Sequence, residues 1–83
     1  MADSRDPRQQ YVDARTLLAD DIEPLETILG ALGALAPGGL LVIDAPFRPV
    51  PLEAVLTARG CAVTVEHVAE DHWRLEARTP GGP

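Results

Sequence analysis

Two arginines placed just beyond apolar runs are the residues of this chain best suited to hold an anion. Arg15 follows Tyr11-Val12-Asp13, and Arg48 follows Leu41-Val42-Ile43-Asp44-Ala45 with Phe47 beside it. Each run leads towards a helix start, Glu23-Pro24-Leu25 in the first case and Val50-Pro51-Leu52 in the second. In open α/β units ligands bind beyond the carboxyl ends of parallel strands. That edge is expected to gather Arg15, Phe47, Arg48 and two helix N-termini, whose free amides favour a small anion or a carboxylate from a partner protein. The competing arrangement, and the commoner one for surface arginines, is ion pairing of Arg15 and Arg48 with Asp13, Asp21 or Asp44.

Other reactive side chains lack the company that chemistry requires. His67 and His72 flank Glu70-Asp71, but a transition-metal site needs three or four converging ligands. Two solvated hairpin histidines and no metal are expected. Asp13, Asp20, Asp21 and Glu23 form an acidic stretch before a helix. No nucleophile accompanies them for acid-base work, and carboxylates there are explained by the helix dipole. Cys61, the only cysteine, follows Gly60 at the negative end of a helix, where a thiolate is disfavoured, so a small core residue is expected. Trp73 is read as core rather than as a partner-binding hot spot. The chain is read as not an enzyme and as carrying no cofactor.

Composition narrows the partners. Thirteen acidic residues against seven basic ones, all arginine, give a net charge of −6, which disfavours the phosphate neutralisation on which nucleic-acid binding depends. The uncharged run from Thr27 to Ile43 falls short of the ~20 residues that span a bilayer, and Pro37-Gly38-Gly39 interrupts it. No membrane segment is expected. A lone cysteine and a polar start without an apolar stretch point to the cytoplasm.

The elements that position these residues are legible from periodicity. Leu25, Ile28, Leu29, Leu32 and Leu35 share one helical face, with Pro24 in the first turn and Pro37-Gly38-Gly39 as the stop. Gly30 and Gly33 each cost up to ~1 kcal/mol relative to alanine in a helix, which predicts close packing there by the second helix or by a partner. Leu40-Leu41-Val42-Ile43 is the expected central strand. A second helix spans about Pro51 to Arg59, with Leu52, Val55 and Leu56 inward and Gly60 as a left-handed cap. Ala62–Val68 and Trp73–Arg78 alternate with period two about a Glu70-Asp71 turn. The order is βαβαββ: an α/β (α+β two-layer) sandwich with two helices on one face of a four-stranded mixed sheet, first pair parallel, last pair antiparallel. Residues 10–78 form the single domain, with flexible tails at 1–9 and 79–83.

These residues in this order resemble the TusA/SirA-like family. The resemblance rests on Asp13-Ala14-Arg15-Thr16-Leu17, the Glu23-Pro24-Leu25 helix start, Ala36-Pro37-Gly38-Gly39 before a strand, and His72-Trp73-Arg74-Leu75. Ala45-Pro46-Phe47-Arg48-Pro49-Val50-Pro51-Leu52 and the Trp-Arg ending are closer to its uncharacterised branch, a domain of unknown function. The family implies a Cys-Pro-x-Pro motif at the first helix N-terminus, whose cysteine carries persulfide sulfur. Here the matching stretch is Asp21-Ile22-Glu23-Pro24, so the carrier cysteine is missing and Asp21 is expected in its place as a helix N-cap. The resemblance implies an accessory role in a redox or sulfur-related setting; joined to the strand-end edge above, the reading is a non-catalytic protein-interaction module binding a protein or small anion at Arg15, Phe47 and Arg48. The alternative is sulfur transfer through Cys61. A monomer or weak homodimer is expected, the latter through the small face around Gly30 and Ala34.

Overall fold

The computed structural model describes residues 6–81; the tails expected at 1–9 and 79–83 lie outside the described residues at 1–5 and 82–83. The elements are β1 (Gln9–Asp13), α1 (Ala14–Ala19), α2 (Pro24–Gly33), β2 (Leu40–Ala45), α3 (Val50–Ala58), β3 (Ala62–Ala69) and β4 (His72–Arg78). The sheet order is β1-β2-β4-β3. β1 and β2 run parallel, and β4 is antiparallel to both β2 and β3. The mixed four-stranded α/β sandwich is thus the one the periodicity predicts, with β2 central.

Alternation along each strand sends Leu41, Ile43, Leu75 and Ala77 to one face, all with essentially no exposure. Ala14, Ile28 and Leu56 pack on that face from α1, α2 and α3 respectively, and Leu17, Leu32, Leu35, Leu52, Val63 and Val65 surround them. The cross-strand pairs Val63–Ala77, Val65–Leu75 and His67–Trp73 keep the expected register. Trp73 is only half-buried, and the His67 ring stacks on it at 4.0 Å and 7°.

The first connection holds two helices rather than one. Asp13 ends β1 with extended backbone and accepts a hydrogen bond from the Arg15 amide, so Ala14 and Arg15 are helical instead of continuing the strand. The side chain of Asp13 caps what the apolar pattern alone reads as a loop. Asp21 then turns the chain at φ 57°, in the left-handed region that aspartate tolerates better than most residues. The expected role of Asp21 as N-cap of the next helix is therefore corrected. Glu23 occupies that position and accepts from the Leu25 amide.

The helix α3 ends as its glycine predicts. Gly60 has φ 86°; its amide donates to Thr57 O and the Cys61 amide to Leu56 O, the paired bonds of a Schellman cap. Such a cap brings the residue after the glycine onto the last helical turn. Cys61 accordingly joins Leu56 in the core.

Gly39 is the point where both ends of the described chain are fastened. Its amide donates to Ala36 O and Thr79 Oγ1, and its carbonyl accepts from the Thr79 amide. Alongside it, Ala36 N donates to Pro7 O, Leu40 N to Arg8 O, and Gly38 N to Pro80 O. Residues 7–9 and 79–80 are thereby tied to the 36–40 turn, which widens the ordered unit beyond 10–78. A Cβ on Gly39 would lie 2.8 Å from Pro7 O and 3.0 Å from Ala36 O, and backbone oxygens cannot swing aside. Around Gly30 and Gly33, by contrast, an added Cβ meets nothing within 4 Å, so the close packing expected there is absent. Gly39→Ala is expected to destabilise by about 1–3 kcal/mol, while Gly30→Ala stabilises by about 0.5–1 kcal/mol. Urea unfolding followed by Trp73 fluorescence separates the two; a harmless Gly39→Ala would show that the fastening is dispensable.

Candidate functional site

One charged residue interrupts the apolar sequence of β2, and the fold builds a polar cluster around it. Asp44 is 1% exposed and sits in register between Asp13 on β1 and Arg74 on β4. Alternation turns it away from Ile43 and Ala45, onto the sheet face opposite the helices. Arg74 clamps it with both arms of the guanidinium, Nε to Oδ1 at 2.9 Å and Nη2 to Oδ2 at 3.3 Å, a geometry that suits a carboxylate. The Tyr11 hydroxyl donates to Oδ2. Arg15 Nη2 lies 4.0 Å from Oδ2, and His72 Nε2 lies 3.0 Å from Oδ1. The histidine nitrogen is close but off the hydrogen-bond line, and it is buried with no other partner.

Burial pushes the Asp44 carboxyl up, but hydrogen bonds from Arg74 and Tyr11, the nearby His72 nitrogen and the Arg74 charge outweigh it and hold the carboxyl well below the usual range. The bond to Asp44, with burial and the charges of Asp44 and Asp13, pushes the Tyr11 phenol up. Asp13 is lowered chiefly by its hydrogen bond from the Arg15 side chain. Asp44 is therefore a poor proton acceptor and Tyr11 a poor proton donor near neutrality. The cluster centres on the Asp44 carboxylate, held by Arg74 and Tyr11, and joins β1, β2 and β4.

Tyr11 is the only tyrosine, so its ionisation is directly visible in the ultraviolet. A folded pKa above the ordinary ~10 means that the Tyr11 contribution to stability is complete below the unfolded value and is lost as pH rises through the folded one. Spectrophotometric titration is expected to place the wild-type phenol above its value in Asp44→Asn; coincident curves would remove the hydrogen bond from the account.

On the helix side of the same sheet edge lies an apolar groove of about 320 Å³. Ile43 and Ala45 form its floor, Leu18, Leu25 and Ile28 one wall, and Phe47, Leu52 and Val55 the other. Its surroundings expose apolar surface unusually densely. Of the seven large hydrophobic residues exposed among the described residues, Leu18, Ile22, Leu25, Phe47 and Val50 all belong to the connections around this edge. Phe47 is 55% exposed at the rim.

The anion-binding edge expected from the sequence is split by this arrangement. Arg15 turns to the Asp13 carboxylate at 3.1 Å and to the Asp44 cluster, as the ion-pair alternative anticipates. Arg48 pairs with Glu53 at 3.1 Å, and Phe47 belongs to the groove. Each arginine already has a carboxylate. Cys61 is 7% exposed and in the core. His67 is exposed against Trp73, whereas His72 is drawn to Asp44, which corrects the expectation of two solvated hairpin histidines.

The Asp44 cluster was hidden from sequence reasoning because its members are 33 and 30 residues apart. The available signal was a single acid inside Leu-Leu-Val-Ile-Asp-Ala, with Arg74 on the outward face of a strand. Only the strand order, which places β4 against β2, brings the two together.

Searches of curated proteins and of solved structures return no match. A family model described as an uncharacterized conserved protein (DUF2249) matches residues 11–79. That span runs from Tyr11 to Thr79 and contains both the Asp44 cluster and the groove. The chain therefore belongs to the DUF2249 family.

Proposed function

We propose that this domain is a non-catalytic accessory module that binds a partner protein through the groove at the carboxyl end of β2, in the cytoplasm and in a redox or sulfur-related setting. The observation that carries the reading is the concentration of exposed apolar side chains at that groove, Phe47 foremost. Exposed apolar surface gathered at one place is the usual mark of an interaction site. The side chains with chemical potential supply the contrast, since Arg15, Arg48, Arg74 and Asp44 are engaged with one another or with near neighbours. The setting rests on the resemblance to the TusA/SirA-like family. Sulfur transfer through Cys61 requires an accessible thiolate, and the buried position of Cys61 weighs against it.

A photo-crosslinking residue at position 47, introduced in the cells that make the protein, is expected to yield a defined protein adduct. The same residue at Thr64, on the opposite sheet face, is expected to yield none. Adducts from Thr64 but not from position 47 would move the interaction surface off the groove.

A further inference from the structure

We infer that the segment the groove accepts is a basic amphipathic helix of the partner protein, with one or two large apolar side chains seated against Phe47, Leu25 and Leu18. The inference rests on the groove being the partner surface, and it adds the chemistry of what sits there.

Charge around the groove is strongly one-sided. From Ala14 to Val55, the span that holds the groove's lining, the sequence has six acids, Asp20, Asp21, Glu23, Glu26, Asp44 and Glu53, against two bases, Arg15, which is turned to Asp13, and Arg48. Asp44 belongs to the cluster on the other sheet face, and Glu53 is paired with Arg48. Asp20, Asp21, Glu23 and Glu26 are left in the segment that runs between the groove residues Leu18 and Leu25 and into α2, the acidic lip of the groove. Asp20 and Asp21 lie between the groove residue Leu18 and exposed Ile22; Glu23 lines the groove itself; Glu26 follows Leu25. None of the four makes an ion pair among the described residues. Four carboxylates within a few residues act together over a screening distance of about 10 Å, so the lip attracts lysine and arginine and repels acidic partners.

Size and shape set the other half of the recognition. A groove of about 320 Å³ is at the small end of cavities that enclose whole ligands, which run from about 300 to 1,000 Å³. That volume accommodates one or two large anchor side chains. Walls made by α1, α2 and the start of α3 leave an apolar trough, the form into which an amphipathic helix lays anchors spaced three or four residues apart. Lysines on the flanks of such a helix then face the acidic lip.

Fluorescence anisotropy with a labelled leucine/lysine amphipathic peptide, and with its leucine/glutamate counterpart, tests both halves. The lysine peptide is expected to bind the wild-type domain, and the glutamate peptide to bind at least about tenfold more weakly. The fourfold neutralised variant Asp20→Asn, Asp21→Asn, Glu23→Gln and Glu26→Gln is expected to lose at least about tenfold for the lysine peptide, and Phe47→Ser to lose binding altogether. Equal binding of both peptides, abolished by Phe47→Ser, would overturn the basic partner while leaving the groove reading intact. Lysine-peptide binding indifferent to Phe47→Ser would mean adhesion elsewhere and would overturn the inference. Binding of neither peptide would overturn the inference, and the crosslinking experiment then decides the groove reading separately. A concentration-dependent dimer abolished by Phe47→Ser would make a second copy of the chain the occupant and would also overturn it.

Discussion

Asp44→Asn is expected to lower the unfolding free energy by about 3 kcal/mol at neutral pH, because it removes the charge that Arg74, Tyr11 and Arg15 converge on. The carboxylate is essentially unexposed, whereas the Arg74 side chain keeps 39% exposure. Released arginine therefore finds water, which keeps the loss at the low end of what breaking a buried pair costs. A chain of 83 residues has a total stability of roughly 4–12 kcal/mol at the usual per-residue value, so the substitution removes a large share. The pH profile should change with it. A carboxyl held below its ordinary value of ~3.9 contributes stability that is complete above that value and is lost as pH falls towards the folded one. Wild type is thus expected to weaken steeply below about pH 4, and Asp44→Asn to show a shallower acid limb. Urea unfolding at several pH values checks both; an unchanged midpoint and parallel acid limbs would relegate the cluster to decoration of an open sheet face.

Leu56→Ala is expected to cost about 3 kcal/mol through the cavity it leaves. Leu56 is fully buried and is also the helical residue whose carbonyl receives the Cys61 amide. Its loss should therefore act twice, on stability and on the seating of the thiol. In the wild type, alkylation of Cys61 has to wait for local opening and should run at least about tenfold slower than in the urea-unfolded chain. In Leu56→Ala that protection should shrink. Rapid alkylation of native wild-type protein would put the thiol within reach of partners and reopen sulfur transfer as a function.

The parts of the fold written in short-range pattern were legible in the sequence. Alternation gave β3 and β4 their faces, the Pro24 and Gly60 signals bounded the helices, and Leu40–Ile43 declared itself central. The short helix α1 was not legible, because six residues show no periodicity and its start depends on whether the Asp13 side chain turns back onto an amide. The cap of α2 was displaced too, for aspartate is the better N-cap by residue type, and only the left-handed turn at Asp21, which leaves Glu23 beside Pro24, decides against it. Of the candidate site, Phe47 was placed at the right edge. Arg15 and Arg48 were not brought together, since each is held by a carboxylate close to it in the chain, Asp13 and Glu53. The Asp44 cluster required the pairing of β2 with β4, a contact between segments that periodicity cannot order.

The knot at Gly39 has a consequence for how this domain can be attached to anything else. The chain enters at Pro7 and leaves at Pro80 beside the same turn, where β1 and β2 begin and β4 ends. The groove lies at the other end of β2, beyond Ala45. A tether at either end of the described chain therefore departs from the pole opposite the groove and leaves its mouth unobstructed. The same proximity makes the fold a good subject for circular permutation: a short Gly/Ser linker joining the ends, with new termini opened in the exposed Glu70-Asp71 turn, should preserve the sheet, the buried Asp44 and the trough alike.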